Sequence, residues 1–399
     1  MSPTQGGRPP RLVHLTTVDI SLEYLLGPQL STFVDAGYEV IGVSAPGDLV
    51  PTIEARGVRH VPLRHSTRSM HVGKDVRVIA ELRRVFKELA PDIVHTHNPK
   101  PGVYGRIAAR AAGVPVIVNT VHGLYALPGD RFAKRAVIYG LERIAATFSQ
   151  AELVQNPEDI PVLRSLRIPA ERITLLGNGI DLRRFGAHGD ADAARAAVRA
   201  EWGVGPDDVV VGAVGRLVLE KGYRELFDAW ELVRRSHPEA RLVVIGPFDP
   251  DKADEVPAEV VEHARSLGVH FDGHRDDVDR RYLGMDAYVL ASYREGFPRS
   301  AMEAAASGLP IVATDIRGCR QVVDHEVTGL LVPARTVEPL AAALERVVGD
   351  AGLRAAMSKA AIDKAAAEFD DRRVVDITLR TYDRLLRAAG RPLPTPRSP

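Results

Sequence analysis

Cysteine is almost missing from this sequence: Cys319 is the only one in 399 residues. A single thiol cannot close an internal disulfide, and such usage fits a reducing compartment. No apolar run approaches the roughly 18 residues that a membrane-spanning helix needs. The polar start, residues 1–10, lacks the apolar centre of a signal peptide, so a cytoplasmic location is expected. Net charge is missing too, with 52 Lys/Arg against 52 Asp/Glu, and no nucleic-acid partner is expected. The charge is unevenly shared, however. Residues 1–190 hold 23 Lys/Arg against 18 Asp/Glu, and the remainder 29 against 34. A basic first half suggests an anionic partner such as a lipid headgroup or a diphosphate, with chance imbalance as the alternative.

What is present has the composition of an ordinary globular protein, and the length suits two domains with full cores. Short apolar runs at 12–15, 39–43, 92–95, 115–120, 152–155 and 173–176 have the pattern of buried parallel strands. Helix-like stretches at 22–36, 74–89, 103–112 and 131–148 fall between them, the first closed by Gly37. The alternation resumes at 208–214, 242–245, 286–291 and 311–315. Such βα repetition predicts an α/β protein with doubly wound parallel sheets. The connection between the halves is expected at 185–189. That gives a disordered start at 1–10, a first domain at 11–189 and a second at 190–370. A closing helix at 371–389 follows, then a disordered tail at 390–399 containing four prolines.

The chemistry concentrates in the second half. Glu295-Gly296-Phe297-Pro298-Arg299-Ser300-Ala301-Met302-Glu303 follows a predicted strand and opens a helix. It therefore lies on the carboxyl edge of a sheet, where open α/β sheets bind ligands and where a helix start presents N–H groups to an anion. Ser300 and Glu303 also fit a capping box, which would make Glu303 purely structural. Upstream, Gly215-Arg216-Leu217-Val218-Leu219-Glu220-Lys221-Gly222 joins a strand to a helix with two cations. A nucleotide diphosphate needs that combination of pliable backbone, helix start and positive charge. No Walker loop occurs.

The first half offers weaker candidates. His95-Thr96-His97-Asn98 and Asn119-Thr120-Val121-His122-Gly123 both end predicted strands. His95 and His97 look like a zinc pair only superficially, since cysteines and a third ligand are missing; no metal site is expected. Nine Arg/Lys against two acidic residues lie between Arg56 and Lys87. Of these, Arg64, Arg68, Lys74 and Arg77 suit a pyrophosphate or an anionic bilayer, although an exposed basic face explains any one of them. The stretch 131–148 mixes Phe132, Val137, Ile138 and Leu141 with Arg131, Lys134 and Arg135, which suits either a membrane interface or ordinary packing. Cys319 has no histidine-centred arrangement around it and is expected to be a packed thiol.

Together, Glu295-x7-Glu303, Gly215-Arg216-Leu217 with Lys221-Gly222, Asn178-Gly179-Ile180-Asp181 and Thr328-Gly329-Leu330-Leu331-Val332 resemble the retaining glycosyltransferases of family 4. The resemblance spans about residues 11–389. It implies the GT-B fold, two Rossmann-like domains facing across a cleft, with the last helix crossing back onto the first. It also implies donor contacts from Gly215, Arg216, Lys221, His274, Arg275, Glu295, Gly296, Phe297 and Glu303. Catalytic duties fall to Arg216, Lys221, Glu295 and His122, with Arg216 and Lys221 neutralising the leaving diphosphate so that no metal or other cofactor is needed. Thr17, Asp19, Arg64, Arg68, Asn98 and Lys100 are the acceptor candidates. The sequence departs from the family in two places. Thr16-Thr17-Val18-Asp19-Ile20 replaces a glycine pair, and Gly318-Cys319-Arg320-Gln321 replaces Gly-Gly with a glutamate, so Gln321 carries no acid–base duty.

Thr16-x2-Asp19, the run from His95 to Lys100 and the basic 64–77 segment look most like the capsule and N-glycan assembly branch. The resemblance then implies transfer of a hexose or N-acetylhexosamine from a nucleotide-diphosphate sugar, a UDP-sugar favoured, to a polyprenyl-diphosphate-linked saccharide. The reaction would occur at the cytoplasmic membrane face, with peripheral attachment through the basic domain. The alternatives are a soluble transferase acting on a small hydroxylated metabolite, a GT-B nucleotide-sugar epimerase and a non-catalytic nucleotide-sugar binder.

Overall fold

The computed structural model describes residues 8–65, 72–97, 99–124, 126, 130–186, 191–248 and 254–396. Two compact units emerge. Residues up to Gly177 cluster with those from Arg372 onward, and Asn178–Asp371 form the second unit. The first unit holds β1 (Arg11–Val18), β2 (Glu39–Ala45), β3 (Arg59–Pro62), β4 (Ile93–His97), β5 (Val116–Val121), β6 (Ala151–Val154) and β7 (Ile173–Leu175). They form one sheet in the order β3-β2-β1-β4-β5-β6-β7, parallel throughout. The second unit holds β8 (Val210–Val214), β9 (Arg241–Ile245), β10 (His270–Gly273), β11 (Ala287–Leu290), β12 (Ile311–Thr314) and β13 (Gly329–Val332). Its parallel order is β10-β9-β8-β11-β12-β13.

Each unit is therefore Rossmann-like. Strand order runs outward in both directions from β1 and from β8, so it reverses between β1 and β4 and between β8 and β11. Loops leaving the carboxyl ends of those strands diverge and open a crevice, the place such sheets use for ligands.

The central strands are buried on both faces, and successive side chains point to opposite sides of the sheet. In the first unit Leu12, Ile93, Val116 and Val118 share one apolar cluster with Phe33 and Tyr382. Val13, Leu15, Val94 and Ile117 share another with Phe86. The closing helix, Asp371–Ala388, belongs to the first cluster through Val374, Val375, Tyr382, Leu385 and Leu386. The second sheet is likewise covered on both faces, one around Phe227 and Trp230 and the other around Tyr282, Tyr288 and Met302. Among the described residues no helix is long and apolar enough to cross a membrane.

The unit boundary differs from the one expected at 185–189. The backbone N–H of Ile180 donates to Phe369 O at 2.9 Å, and that of Asp371 donates to Ile180 O at 3.1 Å. These bonds commit residues 178–186 to the second unit. They also explain Gly179: a Cβ there would stand 2.6 Å from Asp371 Cα. Residues 391–396, expected to be a disordered tail, instead lie along the first unit. Arg391 ion-pairs with buried Asp92, Leu393 packs on the apolar cluster, and the Thr395 carbonyl abuts Gly37. Asp92 also binds Arg8 at 2.8 Å and accepts from the Arg11 N–H at 2.9 Å. Burial raises its pKa, but these bonds outweigh it and hold the carboxyl below its usual range.

Candidate active site

In the second unit the turn after β8 is shaped by backbone crowding. The Gly215 N–H donates to Ile245 O at 2.9 Å, and Tyr223 Oη donates to Gly215 O at 3.0 Å. Glycine is indispensable at two other positions that close on this turn. Gly222 is left-handed at φ 72°, and a Cβ there would meet Ala291 O at 2.1 Å; at Gly246 one would meet Gly215 O at 2.0 Å. Gly215 itself, expected to be the pliable position, has room for a Cβ, with its nearest neighbour at 3.6 Å. The close approach brings the β8 turn against the end of β11. Lys221, in a short turn ahead of the helix Tyr223–Ser236, thereby reaches Glu295 from the neighbouring strand.

Lys221 Nζ lies 2.7 Å from Glu295 Oε1, and Ser292 Oγ donates to the same oxygen at 2.7 Å. Ser292 is held in turn by its carbonyl, which accepts from Thr314 Oγ1 at 2.6 Å. The backbone of Glu295 passes so near Gly318 that a Cβ there would sit 2.7 Å from the Glu295 carbonyl. Gly318 thus has a steric reason of its own. Its neighbour Cys319 is fully buried and burial pushes the thiol up to about 12, which leaves it a packed, inert group. Arg216 is exposed on the same turn.

Glu303 is not a cap. The helix Arg299–Ala306 starts from Pro298 with no side-chain cap. Ser300 Oγ instead accepts from Tyr288 Oη at 2.7 Å, and Tyr282 Oη lies 3.1 Å from Glu303 Oε2. Burial raises the Glu303 pKa, opposed by Arg299 and the Tyr282 bond. Two tyrosines rising from the core thus support this helix start, and the carboxylate is held by a phenol.

The remaining donor candidates divide. Gly296 lies on the Glu295 loop, but the Phe297 ring packs into the core edge-on to Phe369, so only its backbone belongs to the loop surface. Asn178 anchors that backbone, its Nδ2 donating to Phe297 O at 3.3 Å. Arg275 is turned back onto Asp272. His274 is exposed and sits 3.3 Å from Asp276. Neither is drawn to the Lys221–Glu295 pair by any of these contacts. Arg184, which the sequence reading missed, binds Asp279 at 2.9 Å and contributes positive potential at Glu303. No local motif marked it.

The first unit gathers histidines. His14 on β1 lies opposite His95 on β4, His97 lies opposite Thr120 on β5, and His122 follows two residues later. Period-two alternation puts all four imidazoles on one sheet face. His14 Nδ1 is 2.9 Å from His97 Nε2, and His97 Nδ1 is 3.1 Å from His122 Nε2. His95 bonds Tyr382 Oη through Nδ1 and Thr120 Oγ1 through Nε2, the latter at 2.7 Å. Burial drives the pKa of His14 to about 3 and of His122 to about 4, and holds His95 and His97 well below normal. All four are neutral at pH 7.

His14 is the third imidazole that the sequence reading found missing beside His95 and His97; nitrogens of the three lie within 4.8 Å of one another. The group nevertheless fits a metal poorly. Both nitrogens of His95 are already bonded, and the His14–His97 separation is shorter than the roughly 3.3 Å between two nitrogens on one tetrahedral zinc at 2.0–2.1 Å. The rings serve one another.

Thr17 and Lys100 line one pocket at the β1–β4 crevice, with Leu15, Thr16, Leu63 and Tyr104. Lys100 Nζ stands 5.8 Å from the Tyr104 ring centre. Asp19, placed with the acceptor by the sequence, turns inward instead. Its two oxygens accept from the N–H groups of Ile20 at 2.9 Å and Leu49 at 3.0 Å, and it is buried. A short polar side chain after β1 thus ties down the turn at 47–49. Arg64 has an exposed side chain, while its backbone N–H donates to Glu81 Oε1 at 2.9 Å. Arg68 and Asn98 lie outside the described residues, as does the side chain of Lys74.

Comparison with known proteins gives these features a family. Residues 30–184 match the model "Glycosyltransferase Family 4", and residues 194–364 match "Glycosyl transferases group 1". A D-inositol 3-phosphate glycosyltransferase of Saccharomonospora viridis is 31% identical over 312 residues, 73% of this chain and 69% of the relative. The chain belongs to glycosyltransferase family 4. Another relative in the family is the Escherichia coli UDP-Gal:alpha-D-GlcNAc-diphosphoundecaprenol alpha-1,3-galactosyltransferase, 29% identical over 77% of this chain and 79% of its own length. Anabaena Alr3699/HepE, solved in complex with UDP and glucose, matches with a TM-score of 0.79 at 21% identity, covering 94% of this chain and 99% of that one. The two Rossmann-like units are those of the GT-B fold.

Proposed function

We propose that this family 4 glycosyltransferase transfers a hexose or N-acetylhexosamine from a UDP-sugar to a polyprenyl-diphosphate-linked saccharide, with retention at the anomeric carbon. The observation that carries the reading is the Lys221–Glu295 pair at the β8–β11 reversal, with Glu303 on the helix that follows. The diphosphate lies against Arg216 and Lys221, and Glu303 accepts from the ribose hydroxyls. Glu295 orients the sugar. As the bond from the anomeric carbon to the phosphate oxygen breaks, charge grows on the diphosphate and the two cations stabilise it without a metal ion. The acceptor hydroxyl attacks the same face, and its proton passes to the departing phosphate oxygen. Thr17 and Lys100 take part of the acceptor.

The lipid-linked acceptor is supported by the substrate named for the Escherichia coli relative, and UDP by that donor and by the Anabaena complex. Peripheral attachment to an anionic membrane face is supported by the basic 56–87 segment and by the helix Phe132–Ala146, which exposes Phe132, Val137 and Ile144. A second reading, transfer to a small phosphorylated polyol, is favoured by the Saccharomonospora relative.

The deciding experiment is a thermal-shift panel of UDP, GDP, ADP and their sugar conjugates, followed by turnover with a lipid-linked and a soluble acceptor. Ligand binding to the folded state raises its melting temperature. A selective UDP shift and turnover only with the lipid-linked acceptor are expected. A shift with another nucleotide, turnover with the soluble acceptor, or a strict requirement for divalent metal would overturn the corresponding part.

A further inference from the structure

We propose that His14 and His97 are positioning residues that set the tautomer of His122, so that His122 offers an N–H rather than a lone pair at the carboxyl edge of β5. The functional use of that N–H rests on the glycosyl-transfer reading; the hydrogen-bond argument does not.

The three rings stand in series, from His14 inside the sheet to part-buried His122 at its edge. Each nitrogen-to-nitrogen contact needs one proton, and a neutral imidazole has one N–H and one lone pair. Burial keeps the rings neutral. The protons must therefore all point the same way along the series, and only two arrangements exist.

The buried end chooses between them. His14 Nε2 has no partner and no access to water, and the ring is stacked on Phe33 at 5.3 Å with an interplanar angle of 10°. One arrangement leaves a bare lone pair at this atom; the other leaves an orphaned N–H. Among backbone groups a buried orphan N–H is rarer than an under-satisfied acceptor, and the same preference is taken for the ring nitrogen. Nδ1–H of His14 thus donates to His97 Nε2, and Nδ1–H of His97 donates to His122 Nε2. The one proton of His122 is then on Nδ1. Gln155 hydrogen-bonds the His122 side chain, and its amide oxygen can take that proton's bond before a substrate arrives. The ligand class that suits a neutral N–H is an oxygen acceptor, a sugar hydroxyl or a phosphate oxygen. His122 in this state has no lone pair to offer at Nδ1 and so does not serve there as a general base.

The test is long-range ¹H–¹⁵N NMR of the full, ligand-free chain labelled with ¹⁵N-histidine, with His122→Gln assigning the His122 signals. The expected result at neutral pH is a single Nδ1–H form of His122. An Nε2–H form, or a mixture, would overturn the proposal. In His97→Leu the His122 signals should move toward the Nε2–H form that free histidine prefers, and an unchanged Nδ1–H form would exclude positioning by His97. His97→Gln should restore the wild-type tautomer, because its amide oxygen accepts from His14 while its amide N–H donates to His122. With donor turnover as readout, His97→Leu should raise KM about five-fold, one hydrogen bond's worth, with kcat less affected. Failure of the nucleotide panel would sink the glycosyl-transfer reading while leaving the tautomer result standing.

Discussion

Lys221 Nζ and Glu295 Oε1 are 2.7 Å apart, joining a turn after β8 to the loop after β11 across 74 positions of sequence. The pair is mostly shielded, with 22% and 12% of the side chains exposed; under the proposed function the ammonium is held where a diphosphate would compete with the carboxylate for it. Lys221→Ala should lower kcat by about 10²–10³-fold, the scale for removing one preorganised stabilising group. Steady-state kinetics beside a circular dichroism spectrum would check this, and near-normal turnover would remove Lys221 from the phosphate role.

Glu303 gives a contrasting outcome. Because it caps nothing and is held by Tyr282, Glu303→Gln should weaken nucleotide binding about ten-fold or more, a charged hydrogen bond's worth. The melting temperature should change little. Isothermal titration with UDP measures the first effect and a thermal melt the second. A melting loss with unchanged affinity would return Glu303 to a structural role.

Gly222 is tested through stability. Alanine there would have to adopt φ 72° and place a Cβ against the Ala291 carbonyl. Gly222→Ala should cost at least about 2 kcal/mol from left-handed strain and the clash together, read from urea midpoints. Gly215→Ala, whose Cβ would make only ordinary contacts starting at 3.6 Å, should cost much less.

The histidine group predicts acid sensitivity. Its folded pKa values lie below the unfolded value of 6.5, near 3 for His14 and 4 for His122. Between those limits the unfolded chain binds protons that the folded chain refuses, so stability is full above about pH 6.5 and falls as pH drops toward 4. Each buried histidine adds a slope of up to about 1.4 kcal/mol per pH unit in that window. Urea titrations from pH 7.5 to 4.5 should show the decline starting near 6.5, and His14→Phe should flatten it. A flat profile to pH 5 would contradict the neutral cluster.

Much of this was legible in the residues. Short continuous apolar runs and the helix-like stretches between them marked the parallel units, and the glycines and charges of 215–222 and 295–303 fell at strand ends, as their local pattern demanded. The His122-Gly123 turn was marked in the same way. Cys319 was readable as a packed thiol because no histidine-centred arrangement accompanies it.

Other features depended on partners far away in the chain. Ser300 and Glu303 have capping-box spacing, but Tyr282 and Tyr288 claim them, and only the tertiary fold brings phenols beneath that helix start. Asp19 looked available until the N–H of Leu49 took its carboxylate. The tail lost its freedom to Asp92, which lies almost three hundred positions earlier. The sequence by itself determined the two parallel βα units, their strand-end motifs and the family, because these rest on local periodicity and short-range spacing. Only the tertiary structure decided that Lys221 meets Glu295 and that His14, His97 and His122 form a series. Those contacts are set by strand order and register, which place residues from separate strands side by side and fix which groups lose water.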